Sequence, residues 1–359
     1  MGRVVRSGTP NHQSRIVMFI AGGAILLAAC GSGSADSPSA QDTTTTSVQP
    51  TTTTSPPPTT TTTIEQTTTS STPQTALEKL GFPVSDEWVV ETVVRDIVSA
   101  TGGLAVDADG NFYQADFGGY DGNAGNAVYK ISPDGEVEVF ATSDDMAALT
   151  MTVLADDGTI YQSAYGANKV FKISPTGEVT LLAEGIRGPA GIVVNDDGSL
   201  IVEAYNSNKI HLIATDGTVT DWVTDPRFNG INGIAEGDDG TLYIIDHKDG
   251  SIFSVSADGS TVEKLFKFPK PTSHGVFLDG KLYVTSRGGY VVFSYDIATG
   301  GVEIVAGNGE PGDRDGRGGE SSFGRPNAIT VGPDGALYTN HGDGTANDPV
   351  TIRRISRQP

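Results

Sequence analysis

"INGIAEGDDGTLYIIDHKDGSIFSVSADGSTVEKLF", residues 231–266, holds four short apolar runs and two Asp-Gly turns. GIAEG and LYIID flank Asp238-Asp239-Gly240, and SIFSVS and TVEKLF flank Ala257-Asp258-Gly259. Alternating apolar and polar residues, rich in aromatic and β-branched types, argue for strands. Asp-Gly supplies the positive φ that a tight hairpin requires. The stretch therefore predicts four short antiparallel strands.

Outward from this unit the pattern repeats. The first turn glycine recurs at Gly110, Gly158, Gly198, Gly240, Gly280 and Gly335, and a second at Gly135, Gly177, Gly217, Gly259 and Gly300. Units of about 40 residues with four strands fit propeller blades, which bury against each other sheet faces that one blade cannot cover. The fold expected is all-β, a six-bladed β-propeller. The last unit stops after TIRRIS without a fourth strand, whereas WVVETVVRDI, residues 88–97, has no hairpin partner nearby. It is expected to form the outer strand of the last blade and so close the ring. Residues 76–87 read as a short helical or irregular lead-in.

The region before the repeats has another character. Arg3, Arg6 and Arg15 precede the apolar run IVMFIAGGAILLAA, and Leu27-Ala28-Ala29-Cys30 follows at its end. At this length the run reads as an export signal rather than a membrane span. LAAC followed by Gly31 resembles the bacterial lipobox, which implies a lipidated Cys30 at the mature N-terminus and a protein anchored to the outer face of the cell membrane. Cys30 is the single cysteine, so it has no disulfide partner to explain it. Residues 31–75 are Ser, Thr, Pro and Gln in runs such as TTTTSPPPTTTTT. They bury too little apolar surface to offset ordering entropy and are expected to be a disordered stalk. The domains expected are thus 1–29 signal, 30–75 lipidated cysteine and linker, and 76–359 propeller. The net charge of -21 excludes nucleic acid as a partner and favours solubility or divalent cations.

The C-terminal unit, with its Gly-rich loop from residue 307, Phe323-Gly324-Arg325-Pro326, Leu337-Tyr338 and Ile352-Arg353-Arg354-Ile355, resembles the NHL repeat. NKVFKIS at 168–174 and NKIHLIA at 208–214 share pieces of it. The resemblance covers roughly residues 100–359 and implies an NHL-type six-bladed propeller, a fold shared with the gluconolactonase-like family. Ala328 stands where the repeat usually has Gly, and Thr339-Asn340-His341 where it has Asp.

Pairing in the first hairpin of each unit places two sets of residues at one end of the strands. Eight residues before each turn glycine stand Gly102, Thr150, Ala190, Asn232 and Asn327, with His274 in the shorter fifth unit. The second strands end at Asp116, Ala164, Ala204, Asp246, Ser286 and His341, with Glu203, His247 and Arg287 beside them. Tyr120, Tyr165, Tyr205 and Tyr290 are expected to rim the same face. The ligand-binding candidates are Asp116, Glu203, Asn232, Asp246, His247, His274, Asn327 and His341. Within them Asn232, Asp246, His274 and Asn327 are a candidate set for a divalent cation such as Ca, Mg, Mn or Zn, which would polarise a carbonyl or activate water. Two readings are open. One is a lipid-anchored propeller that binds or senses a protein, glycan or small molecule; the other is a metal-dependent, lactonase-like hydrolase or lyase. The gluconolactonase-like family places carboxylates among its channel-lining ligands, and the six strand-opening positions here contain none, which favours binding.

Overall fold

The first hairpins of all six units form as the Asp-Gly turns require. Gly110, Gly158, Gly198, Gly240, Gly280 and Gly335 all have positive φ. In most units an Asp just before the glycine accepts from the backbone N–H two residues on, as Asp157 does from Thr159, Asp197 from Ser199 and Asp239 from Thr241. This Asx turn holds the chain reversal and leaves the carboxylate in water.

The computed structural model describes residues 74–97, 99–118, 125–342 and 349–358. Cys30, Tyr120 and nearly all of the linker lie outside the described residues. Six antiparallel blades follow one another. Blade 1 comprises Thr101–Val106, Phe112–Asp116, Ala127–Ile131 and Val137–Thr142; blade 2 comprises Leu149–Leu154, Ile160–Ala164, Lys169–Ile173 and Val179–Glu184. Blade 3 comprises Pro189–Val194, Leu200–Ala204, Lys209–Ile213 and Val219–Thr224; blade 4 comprises Ile231–Glu236, Leu242–Asp246, Ser251–Val255 and Val262–Lys267. Blade 5 comprises Gly275–Leu278, Lys281–Ser286, Val291–Asp296 and Val302–Ala306. Blade 6 is built from both ends of the domain. Arg325–Val331, Leu337–Gly342 and Val350–Arg357 are completed by Trp88–Ile97, with the short Gly316–Arg317 beyond it.

Trp88–Ile97 pairs along Val350–Arg357, from Trp88↔Arg357 to Ile97↔Val350. Its inward residues Trp88, Val90, Val94 and Ile97 are buried. The innermost strand of every blade contacts that of the next, and blade 6 meets blade 1. Six apolar clusters lie one between each pair of adjacent blades. No blade has a core of its own, so burial ties the ring together. The lead-in contains one helix, Ala76–Leu80, with a Thr75–Glu78 capping box.

Five of the six innermost strands carry a bulge where they open. At Pro189–Ile192, for example, Pro189 pairs with Ala204 and Ile192 with Val202, so an extra residue opposes Glu203. A bulge inserts a residue and turns the following side chains. It governs which neighbours in sequence face the channel. Blade 5 has a shorter first hairpin because Leu278 pairs with Lys281 across a two-residue turn.

Candidate functional site

Three consecutive positions at the end of each second strand point in three directions. The earliest, occupied by Ser163, Thr285 and Asn340, reaches to the next blade: their side chains donate to the backbone carbonyls of Ala190, Asn327 and Gly102 at 2.7, 2.6 and 3.0 Å. Glu203 occupies this position in blade 3. It packs beside Gly191 and Ile234, and burial pushes its carboxyl well above the usual carboxylate range.

The next position ties down the loop that enters its own blade. Asp116 accepts from Ala100 N–H (2.8 Å) and Gly118 N–H (2.9 Å), and Asp246 from Asn229 N–H (2.6 Å) and Lys248 N–H (3.1 Å). Ser286 donates to Pro271 O at 3.0 Å, and His341 Nδ1 accepts from Gly324 N–H at 3.0 Å. Burial raises the Asp246 carboxyl even against these two N–H donors. His341 stands against Phe323 and Arg353, and burial with that guanidinium holds it down to about 3.

The third position faces the channel mouth. Phe117, Tyr165, Tyr205 and His247 form an arc across blades 1–4, with ring centroids 6.0, 5.7 and 6.0 Å apart in turn. Blade 5 contributes Arg287. Opposite the arc stand residues that open innermost strands. Arg287 Nη1 donates to Asn327 Oδ1 at 2.8 Å, and Ser273 Oγ donates to the same oxygen at 2.7 Å. Asn327 Nδ2 in turn donates to the carbonyls of Thr101 and Gly102. Asn232 Nδ2 lies 3.3 Å from Ser273 Oγ and 3.4 Å from His274 Nε2. His274 Nδ1 is buried without a hydrogen-bond partner among the described residues. These side chains, with Thr101 and Thr150, enclose one cavity of about 220 Å³.

Both cavity histidines are neutral at neutral pH. Burial, then His247 and Arg287, holds His274 down to about 3. Burial and Arg287 also lower His247. His247 Nδ1 meets Thr272 O, and a carbonyl can only accept, so Nδ1 carries the proton and Nε2 is left as the acceptor.

Of the eight residues expected to bind ligand, the structure brings Asn232, His247, His274 and Asn327 to this cavity. Asp116 and Asp246 tie loops, Glu203 lies between blades 3 and 4, and His341 packs beneath the loop of blade 6. The cavity does not fit a divalent cation. Asn327 Oδ1 is taken by Ser273 and Arg287, the Asp246 carboxylate is engaged by two backbone N–H groups, and the guanidinium would repel a cation. Among the described residues no group of three or more His, Cys, Asp or Glu could hold a metal ion. Tyr165 and Tyr205 rim the mouth as expected, whereas Tyr290 does not line the cavity. Phe117, Thr101 and Ser273 were not anticipated. The signal for Phe117 was its place one residue beyond Asp116, matching Tyr165, Tyr205 and His247.

Among solved structures, a catalytically inactive virginiamycin B lyase from Staphylococcus aureus, determined with quinupristin, is similar at 17% identity and TM-score 0.54, covering 76% of this chain and all of that one. An auxiliary nutrient binding protein from Bacteroides ovatus is similar at 16% identity and TM-score 0.61, covering 77% of this chain and 78% of that one. A protein of unknown function from Bacteroides thetaiotaomicron reaches TM-score 0.63 at 15% identity, over 75% of this chain and 76% of that one. At such identities the likeness is one of fold. Comparison with curated proteins finds no match. The family model of the virginiamycin B lyases matches residues 88–292, from the closing strand through Arg287 and over more than half of the chain, and the chain therefore belongs to the virginiamycin B lyase family.

Proposed function

We propose that the propeller binds a small amphipathic organic molecule at its channel mouth. The observation that carries this reading is a cavity with an aromatic arc on one wall and the Arg287–Asn327–Ser273 cluster on the other. Aromatic faces take an apolar or sugar ring, and the cluster orients a carbonyl or acidic oxygen.

One observation favours a second reading, a lyase. His247 Nε2 is a proton acceptor whose tautomer is fixed by Thr272, and the Arg287 guanidinium lies in the same cavity. In a cyclic ester, an acceptor of this kind would remove the proton from the carbon next to the one that bears the ester oxygen; that electron pair would form a carbon–carbon double bond as the carbon–oxygen bond breaks, and the carboxylate would leave toward the guanidinium. Family membership supports trying the substrate class of the lyases first. The purified protein is incubated with quinupristin and followed by calorimetry and liquid chromatography–mass spectrometry. Binding with unchanged quinupristin is the expected result for a binding module. A ring-opened product of unchanged mass would establish elimination, a product heavier by one water would establish hydrolysis, and neither binding nor product would count against quinupristin-like ligands.

We also propose that Cys30 is lipidated and holds the propeller outside the cell on its Thr-rich linker, a reading supported by the basic start, the apolar run and LAAC. Cys30→Ala is expected to abolish lipid labelling and retention in the membrane fraction; retention in the mutant would refute the anchor. The NHL-like reading of the last unit draws support from Arg353, which is fully buried and donates to Ser322 O, Arg314 O and Asp315 Oδ1 across the Gly-rich loop.

A further inference from the structure

We infer that the ligand is an organic anion, and that it extends from the central cavity over Tyr205 into a second groove between blades 3 and 4. The inference rests on reading the central cavity as a ligand site. The groove has a volume of about 520 Å³, and Tyr205 lines both spaces. Its cations are Arg187 and Lys248, both exposed. Lys248 Nζ lies 5.1 Å from the centre of the Tyr205 ring, which places an ammonium at the passage from one space to the other.

Charge distribution gives the ligand its sign. The chain has 44 acidic residues against 23 Lys and Arg, yet no Asp or Glu lines either the cavity or the groove. Several surface cations are matched locally: Lys169 pairs with Asp145, Lys209 with Asp221 and Lys267 with Asp249. Among the described residues neither Arg187 nor Lys248 takes part in an ion pair. In a protein so acidic, two cations left without acids beside an aromatic wall form a local positive field suited to a carboxylate or another oxyanion. Amides complete the groove. Asn168 Oδ1 accepts from Gly188 N–H at 2.8 Å, so its amide nitrogen is the group left to donate.

The ligand class that fits is a ring-bearing organic acid, its ring against the arc and its acidic group in the groove. The test compares 4-methylumbelliferyl β-D-glucuronide with the uncharged 4-methylumbelliferyl β-D-glucoside, by fluorescence titration of the purified protein. The glucuronide is expected to bind roughly tenfold tighter, the scale of one charge-assisted contact. The double variant Arg187→Ala, Lys248→Ala should erase that preference, bringing glucuronide affinity down to that of the glucoside. Both residues are exposed, so circular dichroism should show an intact fold. Equal affinity for the two probes, or a preference that survives the double variant, would overturn the inference. If neither probe binds while quinupristin does, the groove proposal alone falls; if nothing binds in either assay, the reading of the central cavity falls with it.

Discussion

His274 and His341 are held neutral for the same physical reason with different neighbours. Burial is the main cause for each, helped by His247 and Arg287 at the first and by Arg353 at the second, and both are lowered to about 3 from an ordinary 6.5. As pH falls, the unfolded chain takes up these protons first. The stability they contribute is complete above about pH 6.5 and is withdrawn as pH falls toward about 3. The thermal midpoint of the wild type is therefore expected to fall with acidification more steeply than that of His274→Gln. Carboxylate titrations common to both proteins cancel in the difference between their slopes. Identical slopes from pH 7 to pH 4 would show that His274 titrates normally in the fold. Asp246 and His247 illustrate what sequence could and could not say at this scale. Both stand at the end of one strand, and that location was legible from the turn spacing. Their opposite tasks were not, because strand alternation sends adjacent residues to opposite sides, and the turn spacing does not say which side is the channel.

At the scale of elements, the strands were legible because their boundaries are made by local chemistry. An Asp that bonds the N–H two residues on, next to a glycine at positive φ, reverses the chain whatever packs around it. The closing strand was legible for a different reason, since residues 88–97 were a strand without a neighbour and the last unit lacked one. Its weight in the fold can be measured. Trp88 is buried against Tyr283 of blade 5, with ring centroids 5.6 Å apart, and carries Arg357 over its other side. Trp88→Ala is expected to cost about 3–5 kcal/mol, the range for removing a large buried aromatic side chain. Because every apolar cluster is shared by two blades, the loss should appear as one cooperative transition at lower denaturant. A separate early transition, with the remainder unfolding as in wild type, would mean that blade 6 is an independent unit and the ring is not locked by this strand. Less legible were the bulges. A one-residue shift at the opening of five innermost strands leaves no mark in the apolar pattern, and counting back from the turns could place residues at the mouth but not choose between channel and neighbouring blade.

For the molecule as a whole, alternation of strand direction sends all the Asp-Gly turns to the end opposite the mouth. The acids of those turns therefore gather on one face, while the cavity and groove at the other face contain none. The acids of these turns are thus held away from the cavity and the groove. Part of this is stabilising, since Asp157, Asp197 and Asp239 hold their turns. Asp156, Asp196 and Asp238 precede them, are exposed, and make no hydrogen bond or ion pair among the described residues. They add like charge to the same face without holding anything. Replacing all three with Asn should then raise the thermal midpoint at an ionic strength of about 0.01 M, where charges interact over ~30 Å, and have little effect at 0.15 M, where the range is ~8 Å. A total gain on the order of 1 kcal/mol corresponds to roughly 2–4 °C for a domain of this size. A midpoint that does not move at low salt would show that the turn face is already neutralised by counterions. A drop at both salts would show that these aspartates hold the turns as well, and that the acidity of this face is a requirement of the hairpins rather than a surplus left by them.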